Sequence, residues 1–185
     1  MEDTPETLIA RELGSGERLL WCGQPQQGIA FRRSDLLMVP FSLMWGGFAF
    51  FWEYSAWSTQ NAPLFFVLWG IPFVLVGVYI IAGRFVVDAK QRERTVYGVT
   101  DERVVILSGL LLRRVKSLRV RSLSDISLDE APGGTGTISF GPANVFSAWW
   151  SGTSWPGVPQ PPRFDLIPQA RSVYEVIRKA QASSK

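Results

Sequence analysis

Residues 36–54 read LLMVPFSLMWGGFAFFWEY, and residues 64–82 read LFFVLWGIPFVLVGVYIIA. Each run is close to the roughly 20 residues that an α-helix needs to cross the hydrocarbon core of a bilayer. Neither run contains Lys, Arg or Asp, and Glu53 is their only acidic residue. The sequence therefore predicts a transmembrane hairpin of two helices over residues 36–83.

The alternative interpretation is a pair of buried core helices in a water-soluble protein. A chain of 185 residues has enough polar sequence to cover one such helix. Two adjacent full-length helices would leave too little polar sequence to cover both. Length and the near absence of charge therefore favour the membrane interpretation.

The charged residues around the hairpin predict its orientation. The connecting segment, residues 55–63, contains no Lys or Arg, whereas basic residues flank both outer ends of the hairpin: Arg32, Arg33, Arg84, Lys90, Arg92 and Arg94. Loops rich in Lys and Arg stay in the cytoplasm. We therefore expect both termini to be cytoplasmic and the connecting segment to lie outside.

The rest of the chain divides around the hairpin. Residues 1–16 are acidic and are predicted to be mobile, with residues 6–13 a candidate for a short helix. Residues 17–35 contain one strand, at 17–21, and a lead-in to the membrane. Residues 84–182 form a cytoplasmic domain. In it, alternating apolar and polar residues predict strands at 95–100, 103–107, 115–121, 124–128, 135–140 and 163–167. An amphipathic helix follows at 168–182. The expected fold is α+β, a small, partly open β-barrel capped by the helix.

An uncharged, Gly- and Pro-rich insertion interrupts this pattern at residues 142–162. It contains Trp149, Trp150 and Trp155 and is longer than an ordinary loop. The three side chains have three candidate locations: the surface of the domain itself, the bilayer interface, and a partner protein. We expect them on the membrane-proximal side, near Arg84.

A second candidate binding surface is basic. Residues 84–185 carry 15 basic and 9 acidic residues, a net charge of +6, within a chain whose net charge is +3. Five of the cations are clustered: Arg113, Arg114, Lys116, Arg119 and Arg121. They are candidates for binding anionic lipids or a partner, although a solvated strand face is the simpler interpretation. Tethering beside a membrane favours lipid over nucleic acid, and no nucleic-acid partner is expected.

The composition argues against catalysis. The chain has no His and a single cysteine, Cys22, so the commonest general base and metal ligand are missing. No zinc-ligand spacing, nucleophile elbow or phosphate-binding glycine motif occurs. We therefore predict no catalytic residue, no metal and no cofactor.

Five short motifs, taken in order, resemble the bacterial pleckstrin-homology-like (PH-like) membrane proteins. They are Gly-Glu-x-x-Leu-Trp-x-Gly-x-Pro (16–25), Tyr-x-x-Thr-x-x-Arg (97–103), Gly-Leu-x-x-Arg-Arg (109–114), Leu-x-Asp-Ile (123–126) and Pro-x-Ala-x-x-Val-Tyr-x-x-Ile (168–177). The resemblance implies a PH-like barrel with a terminal helix and no agreed activity. The expected function is a non-catalytic, membrane-anchored interaction or scaffolding module on the cytoplasmic face of a bacterial inner membrane, with an unknown membrane-protein partner. The alternative is a module that binds anionic lipid headgroups.

Overall fold

The computed structural model describes residues 4–32, 35–60, 63–110, 112–141 and 161–183. These residues form two compact units. The hairpin unit comprises described residues between 29 and 88. The sheet domain comprises those between 4 and 28, from 89 to 141 and from 161 to 183.

The hairpin unit contains the two apolar helices. Helix α2 spans Asp35–Ser58. The second helix runs from Leu64 to Glu93 and consists of α3 (Leu64–Val78), a π-helical turn (Tyr79–Gly83) and α4 (Arg84–Glu93), whose last residues belong to the sheet domain. Both helices are long and apolar enough to cross a membrane by length and composition. Only 22% and 17% of their most apolar windows are buried.

Glycines allow the two apolar helices to approach closely. A Cβ atom on Gly77 would lie 3.1 Å from the Cα atom of Gly46, so Gly77 has no room for a bulky side chain. A Cβ atom on Gly46 would lie 2.5 Å from Ile81 Cδ1. Small residues at helix contacts are typical of membrane helix pairs. Gly70 faces the carboxylate of Glu53 in the same way, whereas Gly47 faces open space.

Two buried ion pairs join the outer ends of the hairpin. Arg84 binds Asp35, with 2.9 Å between Nη1 and Oδ1, and Arg32 binds Asp88, with 3.0 Å between Nη2 and Oδ1. All four side chains are at most 14% exposed. Removing one partner of such a pair leaves a buried charge uncompensated, at a cost of about 3–5 kcal/mol. These pairs therefore hold the two helices together at one end.

The sheet domain contains two antiparallel sheets. The first has the order β1 (Leu19–Gly23), β2 (Val96–Thr100), β3 (Arg103–Ser108) and β4 (Arg114–Arg119). The second has the order β5 (Ile126–Glu130), β6 (Gly136–Phe140) and β7 (Arg163–Ile167). The helical hairpin is therefore an insertion between two strands that pair directly, with Gly23 opposite Tyr97.

The expected barrel is not closed. The described strands form two separate sheets, because the chain leaves β4 in a 3-10 turn (Val120–Ser122) before β5 begins the second sheet. The strand predicted at 115–121 accordingly ends at Arg119. One backbone hydrogen bond, 2.7 Å from the Gln26 nitrogen to the Leu166 oxygen, links the chain after β1 to β7.

Helix α5 (Ala170–Ser183) covers the core between the sheets, close to its predicted position. Its buried side chains, Val173, Ile177 and Ala180, share a cluster with residues of both sheets. In this cluster the Phe164 ring lies 4.5 Å from that of Tyr97 and 5.8 Å from that of Trp21, measured between centroids. The aromatic residues of the first two sequence motifs therefore meet in the core.

The N-terminal segment contains a short helix, close to the helix suggested for residues 6–13. Helix α1 (Pro5–Ala10) packs on the outer face of the first sheet, and its Ile9 is fully buried against Val96, Val105 and Leu107. Gly98 provides the space, because a Cβ atom there would lie 3.0 Å from Ile9 Cγ2. Ile9 and the apolar residues around it therefore form a second, smaller core on the outer face of the first sheet.

Candidate interaction surfaces

The first sheet has two chemically different ends. At the end that we call the hairpin end, β1 leads into the helical hairpin, β2 starts after it, and the β3–β4 turn lies between Ser108 and Arg114. The other end, which we call the distal end, contains the β2–β3 turn at Asp101 and Glu102, and Arg119 at the end of β4. Strand β4 crosses from one end to the other over about 17 Å.

The five clustered cations are distributed over both ends. Arg113 and Arg114 lie at the hairpin end, Lys116 lies in mid-strand, and Arg119 and Arg121 lie at the distal end. Successive side chains of a strand point to opposite faces of the sheet. Arg114 and Lys116 therefore lie on the same face as Leu118, and Arg119 lies on the other face with Ser117. The structure therefore brings together Arg119 and Arg121 and separates them from the other three.

Arg113 has a partner in the N-terminal segment. Its Nη2 atom lies 3.2 Å from Glu12 Oε1 and donates to the Leu8 carbonyl at 3.5 Å. Arg114 is exposed and makes no ion pair with the described residues. At the hairpin end, Arg113 therefore helps to hold the N-terminal segment on the sheet, while Arg114 faces solvent.

The distal end contains an open groove of about 1070 Å³. Its charged lining comprises five cations and three carboxylates: Arg18, Arg103, Arg119, Arg121, Lys179, Glu17, Asp101 and Glu102. Glu17 pairs with Arg103, and Asp101 pairs with Arg18. Arg119, Arg121 and Lys179 make no ion pair within the described part of the chain, so the groove has an excess of positive charge.

A buried network forms one wall of this groove. The Glu17 carboxylate accepts hydrogen bonds from Arg103 Nε and Nη2, both at 2.8 Å, from Thr100 Oγ1 at 2.7 Å and from the Gly14 nitrogen at 2.7 Å. The Arg103 hydrogen bond, reinforced by those from Gly14 and Thr100, lowers the pKa of Glu17 to about 2 against the opposing effect of burial. The same pair raises the pKa of Arg103. This wall is therefore charged but internally neutralised.

The network connects two of the sequence motifs. Glu17 comes from the first motif, and Thr100 and Arg103 come from the second. Glu17 and Arg103 carry opposite charges and lie in motifs on either side of the hairpin. This pattern was a signal from which their ion pair could have been predicted. Sequence reasoning did not pair them, and it also did not include Arg18 or Lys179 in the basic set, because the groove combines segments far apart in the chain.

Trp149, Trp150 and Trp155 lie outside the described residues. Their expected position on the membrane-proximal side, near Arg84, therefore stays a prediction. The described chain on either side of this insertion consists of β6 and β7, which pair with each other through Ile138 and Phe164.

These features define a class of protein: a two-sheet domain covered by a C-terminal helix, with an apolar helical hairpin inserted between its first two strands. A family model described as bacterial PH domain matches residues 35–181. The chain belongs to this family, as its motifs indicated. No curated protein and no solved structure matches it. The family match begins after β1, although β1 is part of the first sheet.

Proposed function

We propose that the protein is a non-catalytic module, anchored in a bacterial inner membrane by its helical hairpin, that binds an acidic segment of a partner protein in the distal groove. The observation that carries this proposal is the set of three cations in that groove, Arg119, Arg121 and Lys179, which have no ion pair among the described residues. Cations that are already exposed and unpaired bind a carboxylate without first breaking an ion pair.

Membrane anchoring is supported by the exposure of the two apolar helices. Most of each apolar window is exposed, whereas a core helix of a soluble protein is mostly buried. The aromatic residues Trp52, Tyr54 and Trp57 at the end of α2 also suit the bilayer interface. The uncharged loop and basic outer flanks support a cytoplasmic location for the sheet domain.

The composition of the groove favours a protein partner over a lipid surface. Its lining includes the carboxylates Glu17, Asp101 and Glu102 as well as the cations. An anionic lipid surface would meet these carboxylates too, whereas a short acidic segment can contact the three unpaired cations alone.

A site-specific photo-crosslinker at position 121 tests this proposal in native membranes. We expect an adduct with a protein that is absent when the crosslinker replaces Ser127, an exposed residue of β5. The adduct should be lost with Lys179→Glu, which reverses a neighbouring charge without altering the Glu17–Arg103 network. Adducts with lipid alone, or equal adducts from both positions, would contradict a protein-binding groove.

Binding of anionic lipid headgroups is the second candidate function. The observation that favours it is the exposed, unpaired Arg114 at the hairpin end of the sheet, next to Arg113. A basic residue close to an anionic leaflet contributes about 1 kcal/mol. Nanodiscs made with and without phosphatidylglycerol separate this candidate from the first, because replacing Arg114 with Gln should weaken only the interaction of the sheet domain with the anionic lipid of its own nanodisc.

A further inference from the structure

The β3–β4 turn exposes an apolar side chain at its tip. Leu112 is 84% exposed, more than any other large apolar residue described in the sheet domain. It belongs to the sequence Gly109-Leu110-Leu111-Leu112-Arg113-Arg114, of which Leu111 lies outside the described residues. Val115, just beyond the tip, is also exposed. Transferring such side chains out of water is favourable, so this tip is a candidate for an apolar contact.

Two described residues of the turn, Gly109 and Leu110, make specific contacts. Gly109 has φ +143°, and a Cβ atom there would lie 1.9 Å from the Leu112 carbonyl oxygen, so only glycine fits. The Leu110 carbonyl accepts a hydrogen bond from the Arg94 guanidinium. Arg94 directly follows α4. The turn is therefore fixed to the part of the sheet domain where the chain arrives from the second apolar helix.

Cations surround the apolar tip. Arg94, Arg113 and Arg114 lie beside it. Arg113 pairs with Glu12, and Glu93, the residue before Arg94, pairs with Lys90. Apolar residues flanked by Arg are typical of segments that lie in the interface of an anionic bilayer, where the apolar side chains enter the acyl boundary and the cations meet headgroups. A second copy of the chain is a poorer occupant, because it would bring like charges together.

We propose that the β3–β4 turn inserts Leu112 into the cytoplasmic leaflet of the membrane that holds the chain's own hairpin, with Arg114 and Arg94 at the headgroups. This contact rests on the proposed membrane anchoring.

The test uses the full chain with Cys22 replaced by Ser, reconstituted in vesicles that contain phosphatidylglycerol. Single cysteines carry an environment-sensitive fluorophore at Leu112, at Leu20 or at Leu68. Leu20 is a matched apolar control, exposed in the distal groove, and Leu68 reports on the hairpin itself. Lipids with a nitroxide at shallow depth quench only fluorophores that lie in the bilayer.

Quenching at Leu112 and Leu68 but not at Leu20 is the expected result. Quenching at Leu68 alone would overturn the insertion of the turn while leaving the anchoring intact. Absence of quenching at Leu68 would overturn the anchoring, and this inference with it. A blue-shifted but unquenched fluorophore at Leu112 would show that a protein surface covers the tip, which also overturns the inference.

A second variant removes the dependence on a fluorophore at the tip itself. With the fluorophore at Val115, Leu112→Glu should reduce quenching to the level found at Leu20, whereas Leu112→Phe should preserve it. Equal quenching in both variants would show that Leu112 does not hold the turn in the leaflet.

Discussion

Replacing Glu17 with Gln tests whether the buried network holds the N-terminal segment on the first sheet. The substitution preserves the size of the side chain and an acceptor for Thr100, but it removes the charge that Arg103 binds through two hydrogen bonds of 2.8 Å. The Glu17 side chain is only 4% exposed. An uncompensated arginine then remains beside it, and we expect residues 12–23 to detach more readily.

The pKa of Glu17 gives the magnitude. It falls from 4.5 to about 2, and each pKa unit corresponds to about 1.4 kcal/mol. Because Arg103 is partly exposed, solvent screening reduces the resulting figure to about 2–3 kcal/mol. Since the folded-state pKa is the lower one, this stabilisation is complete above pH 4.5 and is lost as the pH falls toward 2. Less than half of it remains at about pH 3.

Hydrogen exchange of the full chain in nanodiscs measures this loss locally. At neutral pH, Glu17→Gln should lower the protection of β1 and β2 amides roughly 30- to 150-fold. Arg18→Gln is the matched control, because the Arg18–Asp101 pair is 3.5 Å long and Arg18 is 81% exposed, so protection should change by no more than about fivefold. Equal effects of the two variants would refute the argument that burial makes the Glu17 pair strong.

Three further predictions concern the hairpin and the cysteine. A cysteine placed at Ser58 should react with an impermeant reagent outside intact cells and one at Ser184 should not, because basic residues flank only the outer ends of the hairpin; labelling of Ser184 from outside would contradict the topology. Gly77→Leu should separate the two helices and lower the thermal midpoint in detergent, since its Cβ atom would meet backbone at 3.1 Å, whereas Gly47→Leu, which faces open space, should not. Burial raises the pKa of the Cys22 thiol to about 11, so its alkylation should be slow at neutral pH and become faster as the pH rises toward 11. Fast alkylation at pH 7 would contradict the raised pKa.

Local patterns were sufficient to predict most elements. The apolar runs, the strand at 163–167 and the apolar face of the last helix follow from composition and from periods of 2 and 3.6 residues, which neighbouring residues determine. The same reasoning could not reveal that the barrel is open. That depends on the turn at Val120–Ser122, where the pattern of alternating Val and Arg continues although the strand has ended.

The candidate binding residues were less predictable. Five cations within nine residues suggest one basic face, but the direction of β4 assigns Arg113 and Arg119 to opposite ends of the sheet. The groove requires Arg18 and Lys179, which are separated by most of the chain and meet only after folding. Likewise, the burial of Ile9 depends on a missing side chain at Gly98, which no pattern within the N-terminal segment indicates.

The insertion of the hairpin between paired strands has a consequence for how the domain is built. Strand β1 precedes the hairpin, yet it completes the first sheet and contributes Trp21 to the core beside Phe164. Arg92, at the end of α4, donates hydrogen bonds to the carbonyl oxygens of Gln26 and Gly28. These bonds connect the segment that precedes the hairpin to the segment that follows it. Because β1 and β2 meet only when both ends of the hairpin are close together, the hairpin reduces the entropy lost on closing this long connection.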